Sequence, residues 1–221
     1  MRLEVLSAGP AFGNDPRASR RVTAYAGAVP DFVGLLRQLA ALQPPLFVFG
    51  SVAETALLDG ELSHSYGDVD VVIPRTELEW RLRQLALLGF DAFTVYYEPR
   101  PGLPLVYGST RGDLALEVSL VDYGSAGNPF FVVRTDEGAV AISVPADAFR
   151  WPPTVVDGVA IHTLSPLALV HLRAGAFATG AFGPERPGKD DVAQARVIKT
   201  FFRNTDPERL RPTITRIGDC G

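Results

Sequence analysis

The chain has 221 residues, 47% of them hydrophobic, and 21 Lys and Arg against 25 Asp and Glu give a formal charge of −4. That length can bury a sizeable core in one large or two small domains, and the apolar fraction excludes disordered and fibrous classes. The mild acidity excludes a large basic footprint for non-specific nucleic-acid binding but leaves room for a local basic patch.

The first predicted element is a short strand in LEVL, residues 3–6, followed by a Gly/Asn/Pro/Arg-rich stretch read as a mobile segment. In DFVGLLRQLAAL, Phe32, Leu35, Leu36 and Leu39 recur at helical spacing behind Asp31, an N-cap residue type. Pro44 and Pro45 end that helix, and Leu46 to Gly50 reads as a buried strand running into a turn. Ser51 to Gly60 reads as a short helix, and Asp68 to Ile73 as a strand. Thr76 to Glu79, TELE, has the form of a capping box opening a helix that ends at Gly89.

FDAFTVYY and LALEVSLV read as further strands. FFVVR and AVAISV flank Asp136–Gly138, and TVV and VAIHTL flank Asp157–Gly158, so both pairs predict hairpins. The chain then turns helical. Ser165 and Pro166 are start signals for SPLALVHLRAGAFA, and KDDVAQARVIKTFF is a second amphipathic helix. The fold class expected is α+β: a mixed sheet with flanking helices, then a helical C-terminal part. The divisions are an N-terminal segment, 1–22, a sheet-containing domain, 23–164, and a helical region, 165–221.

Cys220 is the one cysteine. It allows no intramolecular disulfide and no Cys-based metal site, and it suits a reducing compartment. No apolar run reaches membrane-spanning length, and the N-terminus lacks a signal-peptide core. The expectation is a soluble cytoplasmic protein without a membrane partner.

The chemistry concentrates in FGSVAETALLDGELSHSYGDVDVVI. Gly50–Ser51 lies between a strand and a helix start, where glycine admits a phosphate and the helix N-terminus offers N–H groups. Asp68 and Asp70 alternate on one strand, so both carboxylates share a face while Val69, Val71 and Ile73 take the other. Two hard oxygen ligands suit Mg²⁺ when triphosphate oxygens complete its shell. Glu117, between Leu116 and Val118, repeats the pattern on a later strand. Beside the first two acids it can hold a second metal ion or deprotonate an attacking hydroxyl. Asp113 is its rival but adjoins Gly112, a turn residue. Tyr96, Tyr97 and Tyr107 can stack on a base or sugar, though strand aromatics more often pack. His64 reads more readily as a loop residue than a ligand.

Gly50–Ser51, a short helix and Asp68-Val69-Asp70 together resemble the signature of the DNA polymerase beta-like nucleotidyltransferase superfamily. The longer gap between the two halves is similar to that of the lincosamide and aminoglycoside nucleotidyltransferases and of abortive-infection (AbiE-type) toxins. GDLALEVSLVD resembles the strand bearing the third acid of the antibiotic-modifying enzymes, which assigns that role to Glu117. HLRAGAF and RPGKDDV resemble the toxin pattern of a helical Lys followed by Lys-Asp-x-x-Asp. Arg173 stands where the toxins carry Lys, and Ala193 falls on the final Asp.

The resemblance implies a nucleotidyltransferase fold and an enzyme that transfers NMP from an NTP such as ATP. Asp68, Asp70 and Glu117 would be the metal-holding and catalytic residues, with one or two Mg²⁺ ions. Gly50, Ser51, Arg173, Lys189 and Asp190 would bind the nucleotide. Lys189 and Asp190 can equally be a solvated first helical turn, and Arg173 a solvated helix residue. Three functions remain open. The first moves NMP onto a small, antibiotic-like acceptor. The second is a toxin adding nucleotides to tRNA 3′ ends, with an antitoxin partner and a basic groove of Arg173, Arg186, Lys189, Arg196 and Lys199. The third is a catalytically silent nucleotide-binding module.

Overall fold

Alternating patterns and turn signals build one mixed sheet flanked by helices. The computed structural model describes residues 4–6, 31–62, 66–97, 105–135, 138–179 and 189–217. The Gly/Asn/Pro/Arg-rich stretch, Asp136, His64, Arg186 and Cys220 lie outside the described residues, as do the side chains of Tyr96, Tyr97, Lys189 and Asp190. The elements are β1 (Glu4–Leu6), α1 (Phe32–Ala40), β2 (Phe47–Phe49), α2 (Gly50–Leu58), β3 (Val69–Pro74) and α3 (Leu78–Leu87). Next come β4 (Ala92–Tyr97), β5 (Val106–Arg111), β6 (Leu114–Tyr123), β7 (Pro129–Thr135) and β8 (Gly138–Ser143). The chain continues with β9 (Thr154–Val156), β10 (Val159–Thr163), α4 (Pro166–Ala178), α5 (Lys189–Phe201) and β11 (Thr213–Ile217).

Among the described residues the strands run in the order β1-β4-β5-β6-β3-β2-β10-β9, and β7, β8 and β11 branch from the end of β6. The long β6 makes this branch. Its body pairs in parallel with β3 and antiparallel with β5, while Asp122 and Tyr123 pair with β7. Leu114, Leu116, Val118 and Leu120 are buried on β6, as are Val69, Val71 and Ile73 on β3. This alternation fixes which face carries the polar residues. Helix α1 buries Phe32, Leu35, Leu36 and Leu39 in the same core.

Local signals account for several boundaries. The Asp31 side chain accepts from Gly34 N–H at 2.7 Å, the predicted N-cap. Ser165 caps α4 through Ala168 N–H at 3.3 Å, with Pro166 in the first turn. In the β9–β10 hairpin Asp157 and Gly158 take φ of 46° and 73°, the paired positive values of a type I′ turn.

The sequence reading errs in three places. No capping box forms at TELE. A short 3-10 turn (Arg75–Glu77) precedes α3, whose N-cap is Glu77 without a side-chain bond, and the Glu79 carboxylate receives Arg83 Nη2 instead. Strand β5 was unassigned because its Gly108-Ser109-Thr110 run is weakly apolar. Strand β11 adds sheet to the C-terminal region, where only helices were expected, by pairing antiparallel with β8.

Two substitutions test this account in chemical denaturation. Ser165→Ala should cost about 1 kcal/mol through the lost cap. Leu36→Ala, at a position with no exposure, should cost about 2–5 kcal/mol through a cavity.

Candidate active site

Asp70 lies in register with Glu117 across the parallel β3–β6 pair, and with Phe49 across the β2–β3 pair. Asp68 lies immediately before β3, two residues from Asp70. One carboxylate oxygen from each of Asp68, Asp70 and Glu117 falls within 4.8 Å of the others. All three side chains are half-buried. Like charges this close repel, and partial burial weakens the water that would screen them. Three hard oxygen donors, two on adjacent strands and one just before β3, are a set that could hold a divalent cation such as Mg²⁺.

Gly50 joins the phosphate-binding candidate to this cluster. Its φ is +66°, and a Cβ there would stand 2.2 Å from Asp70 Oδ2. Glycine therefore meets two constraints, a left-handed backbone and contact with a carboxylate. The helix starts at Gly50, one residue earlier than the sequence suggests. Its N-cap is Phe49, whose side chain makes no capping bond. Ser51 is exposed in the first turn, so its hydroxyl does not serve as the N-cap. The first turn thus offers N–H groups without a side-chain cap beside the acid cluster, the arrangement that binds phosphate.

The other candidates separate. Arg173 is 9% exposed and paired with Glu54, itself 4% exposed. Arg173 Nε and Nη2 donate to Glu54 Oε1 at 2.8 and 2.5 Å. Arg196 pairs with Asp59, the C-cap of α2, so neither of these two arginines projects as an uncommitted cation of a basic groove. Lys199 is exposed. Lys189 and Asp190 open α5. Asp113 is exposed in the turn before β6. Tyr107 is buried in the core, so it packs and does not present a stacking face.

Three supports of the site were not read from the sequence. Glu54 is one. Tyr66 is another: its hydroxyl donates to Thr55 Oγ1 at 2.8 Å. Burial, and then the nearby carboxylates of Asp59 and Asp157, push the phenol pKa up against the opposing effect of the Thr55 bond, which keeps Tyr66 a donor. Asp157 is the third. Its carboxylate accepts from Leu62 N–H at 3.0 Å, and its own N–H donates to Gly60 O at 2.9 Å. These bonds fasten both ends of the segment between α2 and Asp68. A DG turn signal marks the hairpin but says nothing of this second contact.

No protein-family model matches the sequence, and no curated protein matches it. Solved structures do. The antibiotic-resistance factor ANT(2″)-Ia, in complex with adenylyl-2″-tobramycin, is 17% identical with a TM-score of 0.54, over 80% of this chain and 91% of that one. Its solution structure gives 17% and 0.50, over 75% and 77%. The lincomycin-bound lincosamide adenylyltransferase LnuA gives 12% and 0.45, over 69% and 84%.

Gly50→Ala should displace the Asp70 carboxylate and cost about 1–2 kcal/mol in backbone strain. Mn²⁺ titration of the folded variant should show weakened binding, whereas wild-type affinity would separate Gly50 from the acid cluster. The two ANT(2″)-Ia structures share the fold of this chain.

Proposed function

We propose that this chain is a metal-dependent nucleotidyltransferase that moves NMP from an NTP to a hydroxyl of a small-molecule acceptor. The convergence of Asp68, Asp70 and Glu117 beside the N-terminus of α2 carries this reading. In the likeness to ANT(2″)-Ia, a protein solved with adenylyl-2″-tobramycin, lies the support for a small acceptor.

Asp68, Asp70 and Glu117 would hold Mg²⁺, which when bound neutralises triphosphate charge. Gly50, Ser51 and the first-turn N–H groups of α2 receive the phosphates. Lys189 and Asp190, at the start of α5, complete the nucleotide side. The acceptor hydroxyl attacks the α-phosphorus, a new O–P bond forms, and the bond to pyrophosphate breaks. Glu117 takes the hydroxyl proton. Holding these groups on two paired strands supplies the positioning that phosphoryl-group transfer needs.

Incubation of the protein and Mg²⁺ with each labelled NTP, against aminoglycosides, lincosamides and bulk tRNA, tests this directly. Label on a small molecule is expected. Label on tRNA would keep the chemistry and replace the acceptor class, sending the search to an antitoxin. Label on neither would favour the silent module.

Asp70→Asn should abolish transfer and leave the melting temperature equal or higher, because a like-charge cluster is relieved. Glu117→Gln should lower turnover by about 10²–10⁴-fold and nucleotide affinity far less. An unchanged rate would move the base elsewhere.

A further inference from the structure

Helix α2 is the element that touches both the metal candidates and the C-terminal region. At its N-terminus Gly50 lies against Asp70. One turn later, on the same side of the helix, Glu54 receives Arg173 from α4. Both side chains are more than nine-tenths buried. A buried ion pair is a poor source of net stability compared with apolar packing of the same shape, so its presence here calls for another role. It does fix direction. Two donors of one planar guanidinium converge on a single carboxylate oxygen, which restricts how α4 and α2 can slide or rotate against each other.

We propose that Glu54 and Arg173 are positioning residues. Together they set the approach of the α2 N-terminus to Asp70, and thereby the affinity for the metal–nucleotide complex. This rests on the nucleotidyltransferase reading and deepens it. Arg173 then acts through Glu54 and does not ligate the triphosphate itself. The direct-contact alternative predicts the opposite response at position 54. If Arg173 bound phosphate, removing the competing Glu54 charge would release the guanidinium and tighten NTP binding. If the pair positions α2, removing either partner loosens binding alike.

The experiment measures Mn²⁺–NTP affinity, with a non-hydrolysable NTP, for wild type, Glu54→Gln, Arg173→Met, Arg173→Lys and the Glu54→Gln/Arg173→Met double variant. Circular dichroism selects a temperature at which each is folded. The double variant removes both charges, so it avoids stranding a buried ion if a single variant fails to fold. The expected result is a comparable loss, about tenfold or more, in both singles and no further loss in the double. Arg173→Lys keeps the charge without the planar fork and should fall between wild type and Arg173→Met.

Tighter or unchanged binding in Glu54→Gln, with loss in Arg173→Met, would make Arg173 a direct ligand and overturn the proposal. Wild-type affinity in the folded double variant would reduce the pair to packing and overturn it equally. A wild-type protein indistinguishable from Asp70→Asn in Mn²⁺–NTP binding would overturn the functional reading itself, and the positioning role with it.

Discussion

The register of one parallel strand pair is the constraint on which the site depends. Strands β3 and β6 set Asp70 beside Glu117 because Val71 pairs with Val118 and Ile73 with Leu120. A slip of one residue would turn the valines and leucines of β6 outward and Glu117 into the core. Burial of Leu116 and Val118 on one face of β6 therefore specifies the position of the Glu117 carboxylate on the other. Core packing and acid cluster share one determinant, which is why a chain can hold three repelling carboxylates together. Gross apolar burial over a domain far exceeds the repulsion of a half-buried, partly hydrated cluster.

Helix α2 is the second element fixed from several sides. Gly50 backs onto Asp70, Glu54 holds Arg173, Thr55 accepts from Tyr66, and Asp59 pairs with Arg196. These attachments differ in weight. The Asp59–Arg196 pair is solvent-exposed and contributes little. The Glu54–Arg173 pair is buried, so either partner left alone is strongly unfavourable. The result is a helix whose N-terminus is placed by tertiary contacts. Its own sequence offers no side-chain cap, so its first-turn N–H groups lack the acceptor that a Ser, Thr, Asp or Asn cap would supply.

What the sequence discloses follows from the range of the forces involved. Asp31, Ser165–Pro166 and Asp157–Gly158 act on their immediate neighbours, so their elements are readable from composition alone. Asp68 and Asp70 are readable because period-two alternation against valine is local. The same alternation marks Glu117, but its place beside Asp70 is not local, since its pairing partner lies far away in the chain. Strand β11 has exposed residues throughout most of its length and is a strand because β8 hydrogen-bonds to it. The β-branched run TITRI carries local strand propensity but does not disclose its pairing partner. TELE fails for a different reason. The box needs Thr76 at the N-cap, but the 3-10 turn moves the N-cap of α3 to Glu77, and the Glu79 carboxylate turns to Arg83 one turn on. For Arg173 the sequence leaves a phosphate contact and a solvated helix residue both open, because it shows charge without showing the buried partner Glu54.

The division of labour within the fold follows from these placements. The groups assigned to the metal, the phosphates and the proton sit at β3, on β6 and at the start of α2, all braced by the core. Their geometry does not depend on which hydroxyl arrives. The elements after residue 164 reach the site differently. Helices α4 and α5 pack against α2, and β11 extends the sheet through β8. Gly175 lets α4 approach β8 so closely that a Cβ there would stand 2.6 Å from Ile142 Cγ2. A shift of α4 is thus resisted by Ile142 on one side and transmitted through Arg173 and Glu54 on the other. The buried contacts of the C-terminal region therefore brace α2 whatever residues its surface carries.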